Sequence, residues 1–123
     1  MIIGVVNANR EAIIRLMVRG ANGEEHEIDA LIDTGFTGFL TLPSTLIASL
    51  GLTWLGREQG LLGDGTIRVF DVYAATVIWD GQARRVEIDA TDTDPLIGMG
   101  LIYGHDLRIQ VVDGGPVTIE ALP

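Results

Sequence analysis

Apolar and polar residues alternate with a period of two along most of the chain, the pattern of strands that bury one face. Ile14, Leu16 and Val18 share one side of a segment from Ile13 to Arg19, with Arg15, Met17 and Arg19 mostly on the other. Ala21-Asn22-Gly23 supplies an Asn-Gly hairpin turn. A second strand then runs from about Glu25 through Ile28, Ala30 and Ile32, and a short apolar strand over Ile2 to Val6 precedes the pair. Leu52 to Gln59 and Thr66 to Trp79 read as two further strands, joined through Gly60-Leu61-Leu62-Gly63-Asp64-Gly65. The second loses its alternation near Phe70-Asp71, which predicts a bulge or bend there. Asp80-Gly81 predicts a tight turn into Arg84 to Ala90, where Val86, Ile88 and Ala90 alternate with Arg85, Glu87 and Asp89. The chain closes on a hairpin of Leu107 to Val112 and Val117 to Glu120 around Asp113-Gly114-Gly115-Pro116.

Helical patterns are confined to two short segments. One opens at Pro43-Ser44-Thr45 and covers Leu46, Ile47 and Leu50, with Ser44 or Thr45 placed as the cap and Gly51 as the stop. The other runs from Met99 to about His105. A chain of 123 residues is one domain by length, so residues 1–123 form a single all-β unit with one or two short helices.

One strand behaves unusually. Ala30-Leu31-Ile32 delivers a carboxylate, Asp33, and breaks at once on Thr34-Gly35-Phe36-Thr37-Gly38, before a short strand over Phe39 to Leu42. A strand core holds an Asp only where it is paired or hydrogen-bonded, and glycine directly after it permits a tight turn or close approach to a ligand. Two readings fit these residues: a carboxylate capping the turn that ends a strand, or a catalytic carboxylate on a loop held by scaffold strands.

Composition narrows the chemistry. The formal charge of −9, without any basic cluster, argues against nucleic acid or an anionic membrane as partner. There is no Cys, which excludes disulfides, thiolate catalysis and thiolate metal sites and is compatible with a reducing cytoplasm. Met1 to Val6 lacks a basic segment followed by a long apolar one, so no signal peptide is expected, and no apolar run approaches bilayer length. Thr91-Asp92-Thr93-Asp94-Pro95 reads as a solvated turn, since its spacing fits no metal loop. Gly98-Met99-Gly100, with Gly104 beyond it, invites a dinucleotide reading, but too few residues follow for the second parallel strand and the acidic residue that reading needs. His26 and His105 stand apart from each other and read as surface or helix-end residues. Neither metal nor cofactor is expected.

Three landmarks in order carry a resemblance. Leu31-Ile32-Asp33-Thr34-Gly35, a Gly-rich hairpin at Leu62 to Thr66, and Leu96-Ile97-Gly98 before a short helix resemble the single-domain retropepsin-like aspartic proteases. The chain looks most like their bacterial and cyanobacterial branch, which runs Asp-Thr-Gly-Phe-Thr-Gly. The resemblance implies a closed acid-protease barrel that is half of a twofold homodimer, each chain supplying one Asp-Thr-Gly, with terminal strands of the two chains interleaved.

It implies Asp33 as the catalytic residue, Thr34 bonding across the axis and Gly35 letting the two loops meet. Gly63-Asp64-Gly65 would be a flap tip, Ile97-Gly98 the brace of the catalytic loop, and Phe36, Leu61, Leu62, Ile67 and Ile97 the apolar surroundings of an extended peptide substrate. Two positions depart from the pattern: Phe36 replaces a small residue, and Met99-Gly100 replaces the Arg-Asp or Arg-Asn of viral relatives. With a single Asp-Thr-Gly, one chain cannot make a carboxylate pair, whereas a twofold axis beside Asp33 supplies the second. The rival expectation is a dimeric β module that binds extended peptide segments without cleaving them.

Overall fold

A computed structural model of the chain describes residues 1–61 and 63–123. Among the described residues ten strands and two short helices follow in the order β1 (Ile2–Val6), β2 (Ala12–Arg19), β3 (Glu25–Ile32), β4 (Leu40–Pro43), α1 (Ser44–Leu50), β5 (Thr53–Leu61), β6 (Ile67–Trp79), β7 (Gln82–Thr91), β8 (Leu96–Ile97), α2 (Met99–Ile102), β9 (His105–Ile109) and β10 (Pro116–Ala121). The period-two segments and the turn dipeptides therefore become strands and hairpins where the side-chain pattern places them. In the β2–β3 hairpin Ile14 faces Ala30 and Leu16 faces Ile28, and all four are buried. Arg15 and Asp29 face each other on the solvent side with Nε and Oδ1 3.2 Å apart.

The described strands form one sheet in the order β5-β6-β7-β4-β8-β3-β2-β1-β10-β9, and β6 also pairs with β2. That extra pairing, Met17 to Arg19 against Ile78 to Thr76, curls β2, β3, β8, β4, β7 and β6 into a closed barrel. Closure removes edges that would otherwise expose unpaired backbone. Ile14, Leu40, Leu42, Leu50, Ile88, Ile97 and Leu101 fill the interior with essentially no solvent contact, each stabilising the fold by roughly 1.5–3 kcal/mol.

Beyond the barrel, β5 and the first half of β6 continue as a two-stranded ribbon, where Leu61 is 77% and Ile67 67% exposed. No helix among the described residues is long and apolar enough to cross a membrane.

Several expectations need correction. Neither Ser44 nor Thr45 caps α1. Pro43 is the N-cap, in extended conformation and without a side-chain bond, so Ser44 already lies inside the first turn. Gly51 ends the helix in the left-handed region at φ 63°, as expected. The irregularity on the β5–β6 pair falls between Trp54 and Gly56 of β5, while Phe70 and Asp71 pair regularly with Glu58 and Arg57. Gly56 takes φ 148°, which a side chain rarely adopts, so the glycine hosts the bulge. α2 stops at Ile102, because Gly104 turns the chain at φ 86° and His105 already begins β9. Within the chain β1 and β10 pair with each other from Ile2–Ile119 to Val5–Pro116, and β9 stands at the end of the sheet.

Candidate active site

Asp33 follows the last residue of β3, where the barrel strand ends. Its backbone N–H donates to the carbonyl of Ile97 at 2.9 Å, and its own carbonyl accepts from the N–H of Phe36 at 3.2 Å. Carboxylate oxygen Oδ1 accepts the N–H of Gly35 at 2.9 Å. The side chain thus holds its own turn, as the capping reading requires, and this same bond fixes the carboxylate's direction and leaves Oδ2 open among the described residues. Asp33 is half-buried, with Thr34 and Gly35 exposed beside it.

The loop is bound along its length by the segment that follows β7. Leu31 donates to Pro95 at 2.9 Å, Gly98 to Phe39 at 3.0 Å, Met99 to Phe36 at 2.8 Å and Gly100 to Gly38 at 2.9 Å, all through backbone atoms. The Met99-Gly100 departure is explained here: the backbone amides of the first turn of α2 hold the loop. Gly100 is required at this contact, since a Cβ would approach the carbonyls of Gly38 and Thr37 to 2.8 and 3.0 Å.

Phe36, the other departure, folds back over its own loop. A Cβ on Gly38 would lie 2.5 Å from Phe36 Cζ, and one on Gly98 would meet both Phe36 Cδ2 at 2.6 Å and the carbonyl oxygen of Gly38. The half-buried ring therefore occupies space left by two glycines, and it takes the place of the side chains they lack.

The sequence-predicted residues fall into two groups. Asp33, Thr34, Gly35 and Phe36 meet Ile97-Gly98 at the loop. Leu61, Gly63, Asp64, Gly65 and Ile67 lie at the outer end of the β5–β6 ribbon, all exposed, and no hydrogen bond joins the two groups among the described residues. Leu62 lies outside the described residues. At the ribbon tip Asp64 Oδ1 accepts both the N–H of Thr66 at 3.0 Å and its hydroxyl at 2.6 Å. These bonds, the hydroxyl first, hold the Asp64 carboxyl below its ordinary range. Ile97 corrects an expectation: its side chain is wholly buried, so it braces the loop through its backbone and presents no wall to a substrate.

Thr34 lines a cavity of about 300 Å³ together with Ile32, Val6, Ala12, Ile109 and Val111. The Asp33 loop and the segment from Ile109 to Val111 therefore share one concave surface, a juxtaposition across some 75 residues of sequence that no local pattern announces.

Asp89 was legible only as a polar strand position. The structure sets its half-buried carboxylate beside the loop, with Oδ2 3.4 Å from where a Gly38 Cβ would stand. Burial, then the charges of Glu58 and Glu87, pushes its pKa up to about 6. His105 is likewise drawn inward: Trp79 Nε1–H donates to His105 Nε2 at 3.1 Å, with the two rings edge to face. Nδ1 then carries the proton and faces the carbonyls of Ile102 and Tyr103 at 3.1 Å. No group of three or more His, Cys, Asp or Glu suited to a metal ion occurs among the described residues.

No protein-family model and no curated protein matches the sequence. Solved structures do match in fold. A retropepsin-like aspartic protease from Rickettsia conorii superposes with a TM-score of 0.64 at 18% identity, over 99% of this chain and 91% of that one. The EIAV protease, solved in complex with an inhibitor, gives 0.58 at 16% identity, over 78% and 88%. The foamy viral protease-reverse transcriptase gives 0.54 at 17% identity, with 80% of this chain on 13% of that longer one. The chain has a retropepsin-like, single-domain, all-β fold.

Proposed function

We propose that the protein is an aspartic endopeptidase whose active form is a homodimer, with Asp33 of each chain as general acid and base. The observation that carries this reading is the Asp33 loop itself: a carboxylate fixed by Gly35, on a turn bonded throughout to the 95–100 segment, in a fold shared with aspartic proteases. Two carboxylates about 3 Å apart do not both ionise, so such a pair shares one proton; aspartic proteases are the standing example of this effect. The charged member takes a proton from a water as that water attacks the peptide carbonyl. The neutral member hydrogen-bonds the developing oxyanion and helps protonate the leaving amine.

Thr34 bonds across the twofold axis, and Gly35 allows the loops to approach. The β5–β6 ribbon is a flap, its exposed Leu61 and Ile67 covering an extended peptide that pairs through its main chain. Phe36 supplies an apolar side to the groove. The absence of Cys fits action in the reducing cytoplasm.

The test is cleavage of a peptide library across a pH series, wild type beside Asp33→Asn. Cleavage with a bell-shaped acidic profile that disappears in the variant supports the protease. Peptide binding without cleavage by the wild type overturns it in favour of a silent binding module.

A further inference from the structure

Arg84 stands where the strand pattern calls for an apolar residue. On β7 it is in phase with Val86 and Ile88, and it pairs with Val77 of β6. Those three side chains are buried in the barrel. A guanidinium on the core-facing side of a strand ordinarily has a carboxylate partner. None of the ion pairs among the described residues involves Arg84, although the chain carries 17 Asp and Glu against eight basic residues.

The contacts that Arg84 does make leave it available. Nη1 donates to the carbonyl of Leu101 at 3.0 Å, and the guanidinium carbon lies 5.9 Å from the centre of the Phe39 ring. No buried side-chain nitrogen or oxygen among the described residues lacks a hydrogen-bond partner. The remaining guanidinium N–H groups have no partner among those residues and are therefore open to solvent.

Arg84 lines a cavity of about 440 Å³ with Thr37, Phe39, Met99, Gly100 and Tyr103. Small-molecule sites occupy roughly 300–1,000 Å³, so the space is sufficient for a ligand. Met99 is 44% and Tyr103 85% exposed, which leaves two large side chains uncovered at its rim.

We propose that this cavity binds a small apolar monocarboxylate, its carboxylate on Arg84 and its aryl or branched alkyl body between Phe39, Met99 and Tyr103. The proposal does not depend on the protease reading.

One fixed cation with free donors selects one carboxylate, which the guanidinium fork holds through two parallel hydrogen bonds. The apolar surroundings select the rest of the molecule, since a further polar group would lose water there without gaining a partner. A free acid is favoured over an acidic protein surface, because the net charge of −9 repels the latter much more strongly.

The probe is 3-phenylpropanoate, titrated into the isotopically labelled full chain, with the neutral 3-phenylpropanamide as control. Backbone amide shifts of Phe39, Arg84, Met99, Gly100 and Tyr103 should move together and saturate with a Kd of about 1 mM or tighter. The neutral control should bind about tenfold more weakly. Arg84→Met keeps an apolar stem over Phe39 and should lose the preference for the acid. Tyr103→Ala, at an exposed position, should weaken the acid about threefold, and it tests the site independently if circular dichroism shows Arg84→Met unfolded. Equal affinity for acid and neutral control, an unchanged Kd in Tyr103→Ala, or no saturating shift at these residues overturns the site. Saturation by acetyl-Ala-Ala-Phe but not by 3-phenylpropanoate overturns the free acid in favour of a polypeptide C-terminus.

Discussion

The Phe36 ring lies against Gly98 so closely that a Cβ at position 98 would come within 2.6 Å of Phe36 Cδ2. Gly38 is pressed by the same ring, but there the two nearest atoms belong to Phe36 alone, whereas at Gly98 the carbonyl of Gly38 also intrudes. Gly38→Ala should therefore destabilise by about 1–3 kcal/mol and recover most of that loss in combination with Phe36→Ala. Gly98→Ala should lose at least as much and recover little, because backbone cannot retreat as a ring can. Urea melts of the four variants decide the point; equal rescue at both sites would contradict the packing described.

Asp89 gives the fold a pH dependence of definite sign. Its pKa is about 6 in the folded chain against an ordinary 3.8, so the folded state binds more protons between those values. Stability is full below about pH 4 and falls as pH rises to about 6, the reverse of a salt-bridged carboxylate. At this half-exposed position, with solvent screening, the loss is roughly 1–2 kcal/mol. Asp89→Asn should flatten that part of the stability profile in chemical denaturation. A variant curve with the wild-type slope between pH 4 and 6 would contradict the burial argument.

Trp79 needs His105 as an acceptor. His105→Leu leaves the buried indole N–H without a partner and should cost about 1–3 kcal/mol, while His105→Gln, which keeps an acceptor, should cost distinctly less. Thermal melts that rank the two variants in the opposite order would count against the bond at 3.1 Å.

Local signals carried much of the architecture. Alternation over Ile14, Leu16 and Val18 placed β2, and Asn22-Gly23 and Asp80-Gly81 marked turns whose left-handed residues, Gly23, Asp80 and Gly81, sit at φ 84°, 52° and 80°. Asp33 stood out because a carboxylate ended an apolar strand. What escaped the sequence depends on partners distant along the chain. The slip at Phe70-Asp71 is matched by a bulge across the strand pair, at Gly56, since either strand can absorb a register change. Ile97 looked like groove wall, yet its pairing with both Ile32 and Leu40 draws the side chain into the barrel. Asp89 reached the Asp33 loop only through the parallel pairing of β7 with β4, where it faces Thr41.

The proposed two-chain dyad predicts a specific mixing curve. Asp33→Asn chains are titrated into wild type at fixed total concentration, well above the dimer constant, and the rate of peptide cleavage is followed. If each site needs Asp33 from two chains, an equal mixture retains roughly a quarter of the wild-type rate, because only wild-type pairs are active. A rate near half, the value for sites complete within one chain, would contradict the two-chain dyad.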